Sequence, residues 1–165
     1  MEIMKIMVVD DSAITVRKLS MMLESLGHRI IATAANGKEA IEAYRKYRPD
    51  VVTMDITMPE MDGIEATSAI IGEFPDAKIV MVTSHGQEKM VLDALKVGAK
   101  GYVIKPFQEI KVYEAIEKAC KRVVIQEKLL AEIEQRKMLA LQRDAAALAA
   151  QAVIDAEADE RSAGQ

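Results

Sequence analysis

Tryptophan is absent from this 165-residue chain, aromatic residues make up 4% of it, and there is one cysteine, Cys120. A lone cysteine rules out a disulfide framework and a thiolate metal site, and a reducing cytoplasm is the expected compartment. Only two histidines occur, His28 and His85, and they lie too far apart in sequence for ligand-like spacing. Long hydrophobic runs are missing as well. The N-terminal run Ile3–Val9 is too short to span a bilayer, and it ends in Asp10-Asp11 instead of a small-residue cleavage site. The net charge of −4 argues against nucleic acid or an anionic membrane as the main partner. The expectation is a soluble intracellular protein.

What the chain does have is aliphatic: 50% of its residues are hydrophobic, among them 11 methionines, whose flexible side chains fill irregular gaps in a core poor in aromatics. Five short runs rich in β-branched residues or methionine recur: Ile3–Val9, Arg29–Ala34, Asp50–Met54, Lys78–Val82 and Gly101–Ile104. Near-continuous apolar stretches such as Ile79-Val80-Met81-Val82 read as strands buried on both faces. Between them lie segments of helical period, Ser12–Leu26 (closed by Gly27), Lys38–Tyr47, Ile64–Glu73, Glu88–Val97 (closed by Gly98) and Glu109–Cys120. Strand and helix alternate five times, which predicts an α/β fold, an open, doubly wound parallel sheet with helices on both faces. Neither Gly nor Pro occurs between Phe107 and Ala163, and strong helix formers dominate there, so the last helix is expected to continue to about Asp155.

In such a fold, ligands sit beyond the carboxyl ends of the strands. Strand one ends in Asp10-Asp11-Ser12, strand three in Asp55, strand four in Thr83-Ser84 and strand five in Lys105-Pro106. Singly, each has a plain structural explanation: Asp11 or Ser12 as a helix cap, Asp55 as the start of a loop, Lys105 as a solvated charge. Together they gather three carboxylates, a hydroxyl and an ammonium on one rim. Crowded carboxylates repel one another unless a cation neutralises them, and an all-oxygen set of hard ligands suits Mg²⁺. Thr83 can donate to a phosphoryl oxygen, Lys105 supplies a compact positive charge, and Asp55 is the natural nucleophile for an aspartyl phosphate. Glu60 and Asp62 are read as shaping a turn and a helix start, not as metal ligands.

The ordered set Val8-Val9-Asp10-Asp11-Ser12, Met54-Asp55-Ile56-Thr57-Met58-Pro59-Glu60-Met61-Asp62-Gly63, Val82-Thr83-Ser84 and Lys105-Pro106-Phe107 resembles the receiver domain of the two-component response-regulator family, close to its stand-alone chemotaxis (CheY-like) type. The resemblance covers roughly residues 3–122. It implies a flavodoxin-like (βα)5 fold with strand order 2-1-3-4-5. It also implies Asp55 as phosphoacceptor, fed by a histidine kinase, and Mg²⁺ held by Asp10, Asp11, Asp55 and the backbone carbonyl of Thr57. Thr83 resembles the switch hydroxyl, Lys105 the family's lysine with a cis peptide to Pro106, and Tyr102 the aromatic that changes rotamer with the threonine. Thr57 and His85 resemble the positions that tune phosphoryl lifetime. The output implied is a changed surface on helix four, strand five and helix five that a partner protein reads. Such a domain accepts a phosphoryl group and loses it again, without being a turnover enzyme in the usual sense.

Three other functions compete. An aspartate-nucleophile phosphatase of the haloacid dehalogenase kind needs a second Asp where Thr57 stands, and a flavin-binding module needs a Ser/Thr/Gly-rich phosphate loop where Asp10-Asp11 stand. A pseudo-receiver that binds partners without phosphorylation has no need of the full acidic and lysine complement. Residues 1–122 are expected to form the receiver domain and 123–165 a helical extension with no separate effector domain. In that extension Met138, Leu141, Ala145, Leu148 and Ala152 have heptad-like spacing, which Leu130 and Ile133 do not continue. A homodimer through the tail, a helix that docks a partner, and a solvated helix all stay open.

Overall fold

The computed structural model describes the backbone of residues 2–164 and the side chains of 2–121 and 128–164. Five strands alternate with five helices: β1 (Lys5–Val9), α1 (Ala13–Ser25), β2 (Arg29–Ala34), α2 (Gly37–Tyr47), β3 (Val51–Asp55), α3 (Gly63–Glu73), β4 (Ile79–Thr83), α4 (Glu88–Lys96), β5 (Gly101–Ile104) and α5 (Glu109–Ala163). The strands form one parallel sheet in the order β2-β1-β3-β4-β5. This is the doubly wound, flavodoxin-like arrangement, with the order of the strands reversing between β1 and β3.

The period of two along each strand divides the core. Met7, Val9, Val52, Met54, Ile79 and Met81 pack with residues of α2, α3 and α4, among them Ala40, Ile70 and Ala94. Their sequence neighbours Ile6, Val8, Val51, Val80 and Val82 pack on the opposite face with Leu19 and Leu23 of α1 and Val112, Ile116 and Ala119 of α5. Burial on both faces explains the unbroken apolar runs of the central strands.

Element boundaries differ slightly from the sequence pattern. Strand β1 begins at Lys5, not Ile3, and β3 includes Asp55 as its last residue. Ser12 stands outside α1 as its cap, accepting from the Thr15 amide at 3.4 Å. Gly27 follows α1 with φ 91, the left-handed conformation that ends a helix without a Cβ penalty. The last helix passes the expected end at Asp155 and reaches Ala163.

By internal contacts the chain divides into Met1–Val123 and Val124–Gln165. The first unit holds the sheet and its covering helices. In the second, the described side chains are exposed throughout, Met138, Leu141 and Leu148 among them.

Candidate functional site

Strand register builds the rim. Val9 pairs with Met54, so Asp10 and Asp55 emerge side by side from β1 and β3. Asp55 pairs with Val82 and Thr83 with Ile104, which brings the ends of β4 and β5, and Lys105 after them, to the same edge. One carboxylate oxygen from each of Asp10, Asp11 and Asp55 lies within 4.8 Å of the others, the one such group of potential metal ligands among the described residues. Asp10 and Asp55 are buried and Asp11 is exposed, so the cluster opens to solvent on one side.

The Lys105 ammonium donates to Asp10 Oδ2 at 3.0 Å and stands 3.6 Å from Asp55 Oδ1. The other oxygen of Asp10 accepts from the Ser12 amide at 2.9 Å, which fixes its orientation. Burial pushes the Asp55 carboxyl up to about 6, the negative charge of Asp10 adds to the rise, and Lys105 offsets only part of it. For Lys105, burial alone would lower the ammonium pKa, but the hydrogen bond to Asp10 and the charges of Asp55 and Asp10 outweigh it and raise it. One lysine is thus shared by two buried acids with a third beside them, leaving a surplus of negative charge. An oxygen-seeking divalent cation fits that donor set.

The loop after Asp55 is held tightly. The Gly63 amide donates to the Ile56 carbonyl at 2.7 Å, and a Cβ at Gly63 would run into the backbone carbonyl of Asp55. Only glycine lets the start of α3 approach so closely. Asp62 caps that helix in a reciprocal box with Glu65, accepting from the Glu65 amide at 2.8 Å while the Glu65 carboxylate accepts from the Asp62 amide at 3.3 Å. This agrees with a turn role for Asp62; Glu60, at φ 67, takes the strained corner of the same loop.

Thr83 is buried and turns its hydroxyl to the carboxamide of Gln87, donating to Oε1 at 2.8 Å. The same oxygen accepts from the Ser84 amide at 3.0 Å, and Gln87 Nε2 donates to Thr57 Oγ1 at 3.0 Å. The sequence pattern did not single out Gln87. The signal available was a polar residue four after Thr83, at the head of α4, in place of one of the short capping residues.

Tyr102 is half exposed, its relative accessibility 48%. With His85, Ile104, Lys111, Glu114 and Lys118 it lines a groove of ≈ 690 Å³ along β5 and α5. The groove also touches Lys105, so it adjoins the acidic rim. His85 therefore faces this groove as an exposed residue, and Thr57 is exposed beside the rim. The Lys105–Pro106 peptide is cis.

A doubly wound parallel sheet with a buried acidic pair, a third exposed carboxylate and a shared lysine at its carboxyl rim defines a receiver-type signalling module. Residues 6–117 match the family model "Response regulator receiver domain", and the chain belongs to that family. It is 44% identical over 118 residues to the chemotaxis protein CheY of Listeria monocytogenes, covering 72% of this chain and 99% of that protein. The CheY of Halobacterium salinarum is 47% identical over 112 residues, 68% of this chain and 92% of that one. Among solved structures, a CheX-CheY-BeF3-Mg complex from Borrelia burgdorferi superposes with a TM-score of 0.65 at 40% identity, covering 68% of this chain and 85% of that one. The chain is a response regulator of two-component signalling. The phosphatase, flavin-module and pseudo-receiver alternatives gain nothing from these comparisons, and the phosphatase still lacks its second Asp, because that position is Thr57, whose hydroxyl accepts from Gln87 Nε2.

Proposed function

We propose that Asp55 is the phosphoacceptor of a phosphorelay, in chemotaxis as for the CheY relatives, and that Asp10, Asp11, Asp55 and the Thr57 carbonyl hold Mg²⁺. The observation that carries this is the surplus of negative charge around Asp55: three carboxylates within 4.8 Å and one ammonium shared between two of them. Bound there, Mg²⁺ would supply positive charge that relieves repulsion between the acid cluster and an incoming phosphoryl anion.

The chain's own groups account for the rest. An Asp55 oxygen attacks the phosphorus of a kinase phosphohistidine. The P–O bond forms as the P–N bond breaks, and the imidazole leaves with the electron pair and regains a proton from solvent. Lys105 offers its ammonium to a phosphoryl oxygen, and Thr83 donates its hydroxyl proton to another. Burial of Asp55 and the rigid Gly63 turn fix the direction of attack. Thr57 and His85, both exposed near the rim, tune access of the water that hydrolyses the acyl phosphate. Movement of Thr83 and inward rotation of Tyr102 reshape the groove along β5 and α5, which a downstream protein reads. The Borrelia complex with CheX is the precedent for a partner protein.

Residues 1–122 carry this chemistry as the receiver domain, and 123–165 form a helical extension. The extension offers a second surface for a partner or for a second copy of the chain. No helix among the described residues is long and apolar enough to cross a membrane, and a cytoplasmic site of action fits the reading. The test is incubation with acetyl phosphate and Mg²⁺, read by intact mass. Wild type should gain one base-labile phosphoryl group and Asp55→Asn none. Incorporation into Asp55→Asn, or none into wild type, would overturn the assignment.

A further inference from the structure

The carboxamide of Gln87 makes three hydrogen bonds at the mouth of the acidic rim, and none of them caps its own helix. Gln87 occupies the N-cap position of α4 without a side-chain bond to that helix. Gly86, at φ 89, turns the chain so that the side chain reaches back across β4 instead. The orientation of the amide is fixed by chemistry. A backbone N–H can only donate, so the atom facing the Ser84 amide at 3.0 Å is the oxygen, and it also takes the Thr83 hydroxyl at 2.8 Å. The NH₂ group is left for Thr57 Oγ1 at 3.0 Å, on the loop after β3. One side chain therefore ties together the hydroxyl at the end of β4, the loop that follows it, and the loop that follows Asp55.

We infer that Gln87 is a positioning residue that latches the resting state by occupying the single hydroxyl proton of Thr83. The inference rests on the reading of Asp55 as phosphoacceptor and of Thr83 as its switch. Threonine has one O–H. That proton has two acceptors in reach, Gln87 Oε1 at 2.8 Å and, farther off, the Ser84 carbonyl at 3.3 Å. While it is donated to the nearer one it is not available to a phosphoryl oxygen on Asp55, so Gln87 and the phosphoryl group compete for it. Capture by the phosphoryl group breaks the Thr83–Gln87 bond, frees the carboxamide from Ser84 and Thr57, and loosens the start of α4 against the β3–α3 loop. Signal strength is then set by a difference between two acceptors, and changing Gln87 shifts the resting equilibrium without touching the acids.

Beryllofluoride with Mg²⁺, titrated into metal-replete protein, tests this against wild type, Gln87→Ala and the length-matched Gln87→Met. Loss of the latch should tighten beryllofluoride binding about fivefold to tenfold, as expected for removing one or two net hydrogen bonds that favour the resting form. In a Thr83→Val background the same Gln87 substitutions should change nothing, because no proton is left to compete for. In metal-free protein, amide exchange at Ser84 should speed up in both variants and stay slow in Gln87→Glu, whose carboxylate still accepts from that N–H. Equal or weaker binding by Gln87→Ala and Gln87→Met, or an equal gain in the Thr83→Val background, overturns the latch. Wild type that ignores beryllofluoride overturns the phosphoacceptor reading and the latch with it.

Discussion

Replacing Asp55 by Asn should stabilise the metal-free domain above pH 6, although it removes a buried ion-pair partner. In the folded chain, burial and the charge of Asp10 raise the Asp55 carboxyl from 3.8 to about 6. A raised carboxylate pKa means that the folded state binds the proton more tightly than the unfolded state. The contribution of Asp55 to stability is therefore greatest below about pH 4, falls as the pH rises from there to about 6, and levels off above it. A gap of about two pKa units corresponds to roughly 3 kcal/mol at ~1.4 kcal/mol per unit. Asparagine carries no charge at any pH and escapes this cost, but it forfeits the 3.6 Å attraction to Lys105. The expected net gain is about 1–3 kcal/mol at pH 7.5, which moves the urea midpoint by on the order of 1 M. The assay is urea unfolding followed by circular dichroism in a chelator, for wild type and variant, at pH 4.5 and 7.5. The gap should shrink at pH 4.5 and close again at pH 7.5 when Mg²⁺ is supplied, since the cation restores the wild-type site. A variant no more stable than wild type at pH 7.5, or a gap that ignores pH, would refute the reasoning.

Lys105→Met should slow phosphorylation from acetyl phosphate by about a hundredfold, the scale of losing one charge-stabilising donor, while Mg²⁺ binds as well or better to the more negative cluster; single-turnover labelling and a metal titration read the two effects separately. Changing His85 or Thr57 should alter the autodephosphorylation rate by roughly threefold to thirtyfold with Mg²⁺ affinity nearly unchanged, as measured by decay of the labelled protein. Gly63→Ala should cost about 2 kcal/mol or more, visible as a lowered thermal midpoint, because its Cβ meets the Asp55 carbonyl. Light scattering with and without residues 125–165 decides whether the extension pairs two copies: an unchanged monomer mass in the full chain removes that reading.

Much of this was legible in the sequence for a physical reason. Central strands buried on both faces must be apolar at every position, so Val51-Val52 and Ile79–Val82 announce themselves without any partner in view. Parallel strands separated by helices put their carboxyl ends on one rim, and that alone gathers Asp10, Asp55, Thr83 and Lys105. The strand order was not readable from the pattern, since every alternation of this kind has the same hydrophobic code, and it came with the family resemblance. Gln87 escaped notice because its role depends on a backbone turn at Gly86 that aims the side chain back across β4. The direction in which His85 and Tyr102 face was hidden as well: alternation says which residues leave the core, not which groove they enter. The end of α5 was placed short, at Asp155, because the charged run near the terminus reads as fraying although each of its residues tolerates a helix.

The most direct measurement is a Mg²⁺ titration of ¹⁵N-labelled protein, followed amide by amide. One saturable site is expected, with the largest shifts at Asp10, Asp11, Asp55 and Thr57, abolished by Asp10→Asn combined with Asp11→Asn. Shifts that never saturate, or that survive that double substitution, would contradict a divalent cation seated among these carboxylates.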